Sequence, residues 1–108
     1  MLRDERDYLL RMIAAAAMAA RLRERLIGGD PPDAIVREAR AAQGELLGKD
    51  AMLLRMLDPR SAAQTLADPQ RLEQWRALLR VEADALRAAG QESQALAVES
   101  RLQGLSGK

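Results

Sequence analysis

The sequence predicts an all-α domain: a bundle of four to five helices around a long alanine-rich N-terminal helix, closed by a C-terminal helical hairpin. Three observations carry this. The apolar residues are mainly Ala, Leu and Met, with one Trp, one Tyr and no Phe, so strong helix formers dominate and strand-favouring residues are scarce. Apolar positions recur at spacings of three and four, the period of one helix face. Asp-Pro and Gly then punctuate these stretches as helix starts and stops.

At 108 residues there is room for one domain and one core. The net charge is +1, and residues 1–54 carry nine basic and nine acidic side chains against eight and seven in residues 55–108. Neither half is basic enough to track a phosphate backbone, so nucleic acid is not an expected partner. Cysteine and histidine are both absent. That removes thiol nucleophiles, thiolate and imidazole metal sites and imidazole acid–base catalysis together. The longest apolar run, Met12 to Ala20, has nine residues, against about 20 for a membrane span. The opening Met-Leu-Arg-Asp-Glu-Arg-Asp is too acidic for a secretory signal, which makes the cytoplasm the expected compartment.

The first helix is expected over residues 3–27. Asp4, Glu5 and Asp7 suit its positive end and Arg21, Arg23 and Arg25 its negative end. Arg3–Asp7 and Asp7–Arg11 are spaced for ion pairs. Leu9, Ile13, Ala16, Ala20 and Ile27 mark one apolar face, and Tyr8, Met12, Ala15, Ala19, Leu22 and Leu26 an adjacent one. A helix apolar on so much of its circumference is normally covered all round. Its cover is expected from the other helices or from a second copy of the chain. Gly28-Gly29 ends it.

Asp30-Pro31-Pro32-Asp33 reads as a start signal with Asp30 as N-cap. A second helix over residues 31–47 follows, with Ile35, Ala39, Ala42 and Leu46 on one stripe and Gly48 as its C-cap. Residues 50–57 suggest a short helix rich in Leu and Met. Ser61-Ala62-Ala63-Gln64 has the form of a capping box for another turn or two over residues 61–66. Met52, Leu53, Leu54, Met56 and Leu57 either close one end of the core, the favoured reading, or form an adaptable binding surface. Asp68-Pro69 opens the hairpin of residues 69–103. Leu72, Trp75, Leu79, Ala83 and Leu86 form its first buried stripe, Gly90 its turn, and Ala95, Val98 and Leu102 its second stripe. Gly104 to Lys108 are expected to fray.

Two resemblances attach to these residues. Ala83-x-x-Leu86-x-x-x-Gly90-x-x-x-x-Ala95 resembles a tetratricopeptide hairpin, although the bulky aromatic that repeat would put near Glu99 and its following Pro are missing. A single unit is visible, against about three in a stacked array. Asp7-Tyr8-Leu9-Leu10-Arg11-Met12-Ile13 resembles the opening of an uncharacterised family of small bacterial all-helical proteins. That family begins Asp-Tyr-Ile/Leu-x-Arg-Met-Ile and has a tetratricopeptide-like C-terminal half. Asp68 to Leu72 and the Gly90 hairpin fit the same pattern. The resemblance implies a fold and carries no activity with it.

No constellation for catalysis, cofactor or metal emerges. Gly28-Gly29 is a turn between helices and not a phosphate cradle. Glu82 borders the Trp75 stripe and is expected at a half-exposed boundary, with a buried ion pair as the alternative. Trp75 is expected to anchor the core. Tyr8 and Arg11 are either a small recognition surface or a packed ring beside an Asp7–Arg11 pair. The functional expectation is a non-enzymatic helical protein–protein interaction or scaffold module. It is expected to self-associate, as a dimer, or to take a helical protein partner, through a surface drawn from Tyr8, Arg11, Ala14, Ala17, Met18, Met52 and Met56. The alternative is a binder of a small apolar ligand or amphipathic peptide, in a groove between the first helix and residues 52–57.

Overall fold

The computed structural model describes residues 2–106, with burial defined from Glu5 onward. Helix α1 runs Leu2–Ile27, α2 Pro32–Leu47, α3 Ala51–Met56, α4 Pro59–Leu66, α5 Pro69–Ala88 and α6 Glu92–Leu105, with a 3-10 turn at Gly48–Asp50. No strand occurs among the described residues, and the chain is an all-α bundle. The expected Arg3–Asp7 pair and the fraying of Gly107 and Lys108 lie outside the described residues.

The helix starts follow local chemistry, with two corrections. Asp68 caps α5, accepting from the backbone N–H groups of Gln70 and Arg71 at 3.1 and 3.2 Å. Asp58 caps α4 through the Ser61 N–H at 3.1 Å, so that helix begins at Pro59, ahead of the expected Ser61. Its bonds to Ser61 hold the Asp58 carboxyl below the usual range. Asp30 does not cap α2. Arg25 Nε donates to its Oδ2 at 2.8 Å, while Arg25 Nη1 donates to Glu38 at 2.8 Å. The consecutive prolines 31 and 32 lack N–H groups, so the start of α2 has fewer donors to satisfy.

Helix α5 sits against α1, α2, α4 and α6. Trp75, Leu78, Leu79, Val81, Ala83, Ala85 and Leu86 are all buried along it. The core divides into two clusters. One gathers Trp75, Leu78 and Leu79 with Met12, Leu46, Leu54, Ala62, Leu102 and Leu105. The other gathers Val81, Ala85 and Leu86 with Leu22, Ile35, Val36, Ala39 and Ala95. Met18 and Val98 pack against both.

Two expectations about burial are corrected and one, the cover of α1, is narrowed. Within the chain, α1 is covered on one stripe only: Met12, Ala15, Ala19 and Leu22 are buried, with Tyr8, Met18 and Leu26 half-buried. The other proposed face, Leu9, Ile13, Ala16, Ala20 and Ile27, is exposed. The Leu/Met segment is not a lid as a whole. Leu54 alone is buried and Leu57 half-buried, while Met52, Leu53 and Met56 are exposed. A six-residue helix offers a single face to the core. The C-terminus does not fray at Gly104. Helix α6 continues to Leu105, which is 2% exposed, and Gly104 lies so near Pro59 that an added Cβ would meet the ring at 2.5 Å.

Candidate functional site

The residues singled out from the sequence separate into four places. Tyr8 faces the start of α5, where its hydroxyl donates to the Asp68 carboxylate at 2.8 and 3.0 Å. Its ring is half-buried against the first core cluster. This hydrogen bond, with desolvation and the Asp68 charge, pushes the phenol up from its ordinary pKa. Arg11 is exposed and forms no ion pair with Asp7 among the described residues. It leans over the end of α2, where a Cβ on Gly48 would lie 3.4 Å from its Nη1. Tyr8 and Arg11 therefore do not form a joint surface.

Arg11, Ala14 and Met18 do come together, along a groove of about 650 Å³ between α1 and α2. Leu10, Ala15, Ala41, Ala42 and Leu46 complete its apolar lining, and Asp7, Glu38 and Glu45 stand with Arg11 among its polar residues. The Glu38 carboxyl is held below its ordinary pKa by the Arg25 guanidinium. This position corrects the expected groove. Helix α3 packs against α2, the 3-10 turn and α4, and not against α1, so α1 and residues 52–57 enclose nothing. Met52 and Met56 stand exposed, 75% and 79%, one helical turn apart on α3.

Ala17 is exposed on α1, between Leu10 of the groove and Ile13 on the helix circumference. Beside it runs the exposed face of α1, with Leu9 at 55%, Ile13 at 63% and Ile27 at 80%. From Leu9 the positions Ile13, Ala16, Ala20, Arg23 and Ile27 follow at spacings of four, three, four, three and four. This is the heptad a/d alternation of a helix–helix seam. Ile13 and Ala16 also border a cleft of about 310 Å³ against Gln70, Glu73 and Gln74 of α5. Both apolar faces of α1 are legible in the sequence, but which of them is free depends on where α2 and α5 pack. The heptad spacing of the free face is itself a local sequence signal.

A buried polar chain crosses the core. Trp75 Nε1 donates to Gln43 Oε1 at 3.2 Å, Gln43 Nε2 donates to Glu82 Oε1 at 2.7 Å, and Arg40 Nε donates to Glu82 Oε2 at 2.8 Å. Glu82 is only 5% exposed. The expected half-exposed boundary is corrected: Glu82 is buried and ion-paired, as in the alternative, although its partner Arg40 is exposed, so the pair is buried at its acidic end only. Gln43 carried no sequence signal beyond its place beside the apolar stripe of α2.

Among the described residues, no group of three metal-ligating side chains converges and no helix is long and apolar enough to cross a membrane. Comparisons of the chain with protein-family models, with curated proteins and with solved structures find no match.

Proposed function

We propose that this protein is a non-enzymatic helical interaction module that self-associates through the exposed face of α1. The observation that carries this is the heptad seam Leu9–Ile13–Ala16–Ala20–Arg23–Ile27, free of cover within the chain and small at its middle. Contiguous exposed apolar surface of this kind marks interaction sites. An antiparallel two-fold pairing centred near Met18 sets Leu9 opposite the partner's Ile27 and Ala16 opposite the partner's Ala20. Alanines at the crossing let the two backbones approach closely, and the patch is complementary to itself, as an isologous interface requires. The same register brings the partner's Arg23 over Ile13, beside Glu73 of the cleft with α5. The tetratricopeptide-like α5–α6 hairpin then serves as the rigid base that presents the seam.

The test is light scattering coupled to size exclusion, on the native chain and on Ala17→Glu, across a range of concentrations. Ala17 is exposed, so glutamate leaves the monomer's core untouched, and the two-fold brings two copies together near the axis. The expected result is a native dimer and a folded Ala17→Glu monomer. A native chain that is monomeric throughout, or a dimer unchanged by both Ala17→Glu and Ile13→Asp, overturns the proposal.

A second reading is supported by the groove between α1 and α2, whose apolar lining and acidic Asp7, Glu38 and Glu45 suit an amphipathic, basic helical peptide. It is separable by mutation, since Ala41→Glu blocks the groove and leaves the seam free.

A further inference from the structure

A pocket of about 330 Å³ lies where α2, α3, α5 and α6 meet, and it differs from the other clefts in being ringed by arginines. Arg40, Arg55 and Arg101 line it with Ala97 and Val98, and the buried Trp75, Gln43 and Glu82 lie at its floor. The arginines form a relay. Arg101 Nη2 donates to the Arg55 carbonyl at 2.8 Å, Arg55 Nη2 to the Arg40 carbonyl at 3.0 Å, and Arg40 Nε to Glu82 at 2.8 Å.

The charges do not balance. Three guanidinium groups face one carboxylate, and both oxygens of that carboxylate are already engaged by Gln43 and Arg40. Bonds to backbone carbonyls hold Arg55 and Arg101 in place without neutralising them, and neither has an acidic partner among the described ion pairs. Arg101 Nη1 is buried with no hydrogen-bond partner, a state it shares with Arg71 Nε and Arg76 Nε outside the pocket. A charged donor in that condition is costly unless an acceptor reaches it. Guanidinium groups prefer oxyanions that can accept from two N–H groups at once. The volume is that of a small-molecule site with apolar walls and a few fixed polar groups.

We propose that this pocket binds a small phosphate monoester, its dianionic head on Arg101 and Arg55 and its apolar body against Ala97 and Val98. The excess of two positive charges matches the charge of that head. Glu82 acts as the positioning residue that fixes Arg40, and the saturated carboxylate does not compete for the ligand. The site is on the side of α5 away from α1, so it is independent of the α1 seam.

Trp75 is the single tryptophan and lies buried beneath the pocket, hydrogen-bonded to its lining residue Gln43, so its emission responds to rearrangement of the pocket floor. Phenyl phosphate is titrated into the full chain, with phenol and inorganic phosphate as separate probes, and the titration is repeated on Arg55→Gln and Arg101→Gln. Arg55 is exposed, so its variant keeps the test open if Arg101→Gln unfolds, and thermal melts establish folding for both. The expected result is a saturable change with phenyl phosphate, weakened at least about tenfold in Arg55→Gln and absent or far weaker with phenol. Saturation by inorganic phosphate alone would place the recognition on the head group. No saturable change up to about 10 mM, equal affinity in Arg55→Gln, or equal binding of phenol overturns the proposal.

Discussion

The Tyr8 hydroxyl reaches both carboxylate oxygens of Asp68, at 2.8 and 3.0 Å, across 60 residues of sequence. Asp68 is also the N-cap of α5. One carboxylate thus starts one helix and fastens another to it. Tyr8→Phe should lower stability by about 1 kcal/mol, the net worth of such a bond, as read by urea unfolding. The phenol's raised pKa fixes the sign of the pH dependence. The contribution is complete below pH 10, the unfolded tyrosine value, and is lost as pH rises through the higher folded value. Tyr8→Phe should flatten that alkaline limb; a limb of equal slope in both proteins would refute the assignment.

The Trp75–Gln43–Glu82 chain is the polar element with most to lose. Gln43→Leu leaves the indole N–H and one oxygen of Glu82 without partners in the core. A cost of about 2–4 kcal/mol is expected, with a change in Trp75 emission in the folded state. A loss under about 0.5 kcal/mol would mean that water or a rearranged side chain replaces the amide.

Two helical glycines should respond to alanine with opposite signs. At Gly44 of α2 the nearest atom to an added Cβ is Arg55 Nη2 at 3.9 Å, so Gly44→Ala should stabilise by about 0.5–1 kcal/mol. At Gly104 of α6 the Cβ would meet Pro59 Cβ at 2.5 Å and Cγ at 2.8 Å. The proline ring cannot swing aside, and overpacking should outweigh the helix gain, with a net loss of about 1–3 kcal/mol. Paired thermal melts check the contrast.

Ala67 ends α4 with φ of 50°, the single non-glycine residue in the left-handed region among those described. Ala67→Gly should therefore stabilise by about 1 kcal/mol, against the usual effect of glycine. A destabilised variant would show that unfolded-state entropy wins at this position.

Much of this architecture was legible in the sequence because helix period and Asp-Pro starts are local signals. The stripes of α2, α5 and α6 fall where their apolar spacing puts them. The failures are non-local. Leu9 and Ile13 are as apolar as Met12 and Leu22, and only the positions of α2 and α5 decide which face is covered. Asp30 and Asp68 both precede a proline, yet Arg25 draws the first back onto α1 and leaves the second to cap. Gln43 and Glu82, 39 residues apart, meet only once the bundle forms. The arginine ring draws on three helices and has no sequence period at all.

The stripe by which α1 joins the bundle includes Ala15 and Ala19, which remove little surface from water compared with the leucines of α5. Its attachment is correspondingly weaker than that of the hairpin. In native-state hydrogen exchange, α1 amides should open as one low-energy unit while the middle of α5 exchanges only through global unfolding. Self-association along the seam would slow exchange in α1 selectively. The helix would then gain its full protection only above the dimer's dissociation constant, so the local order of one chain would report the concentration of its neighbours.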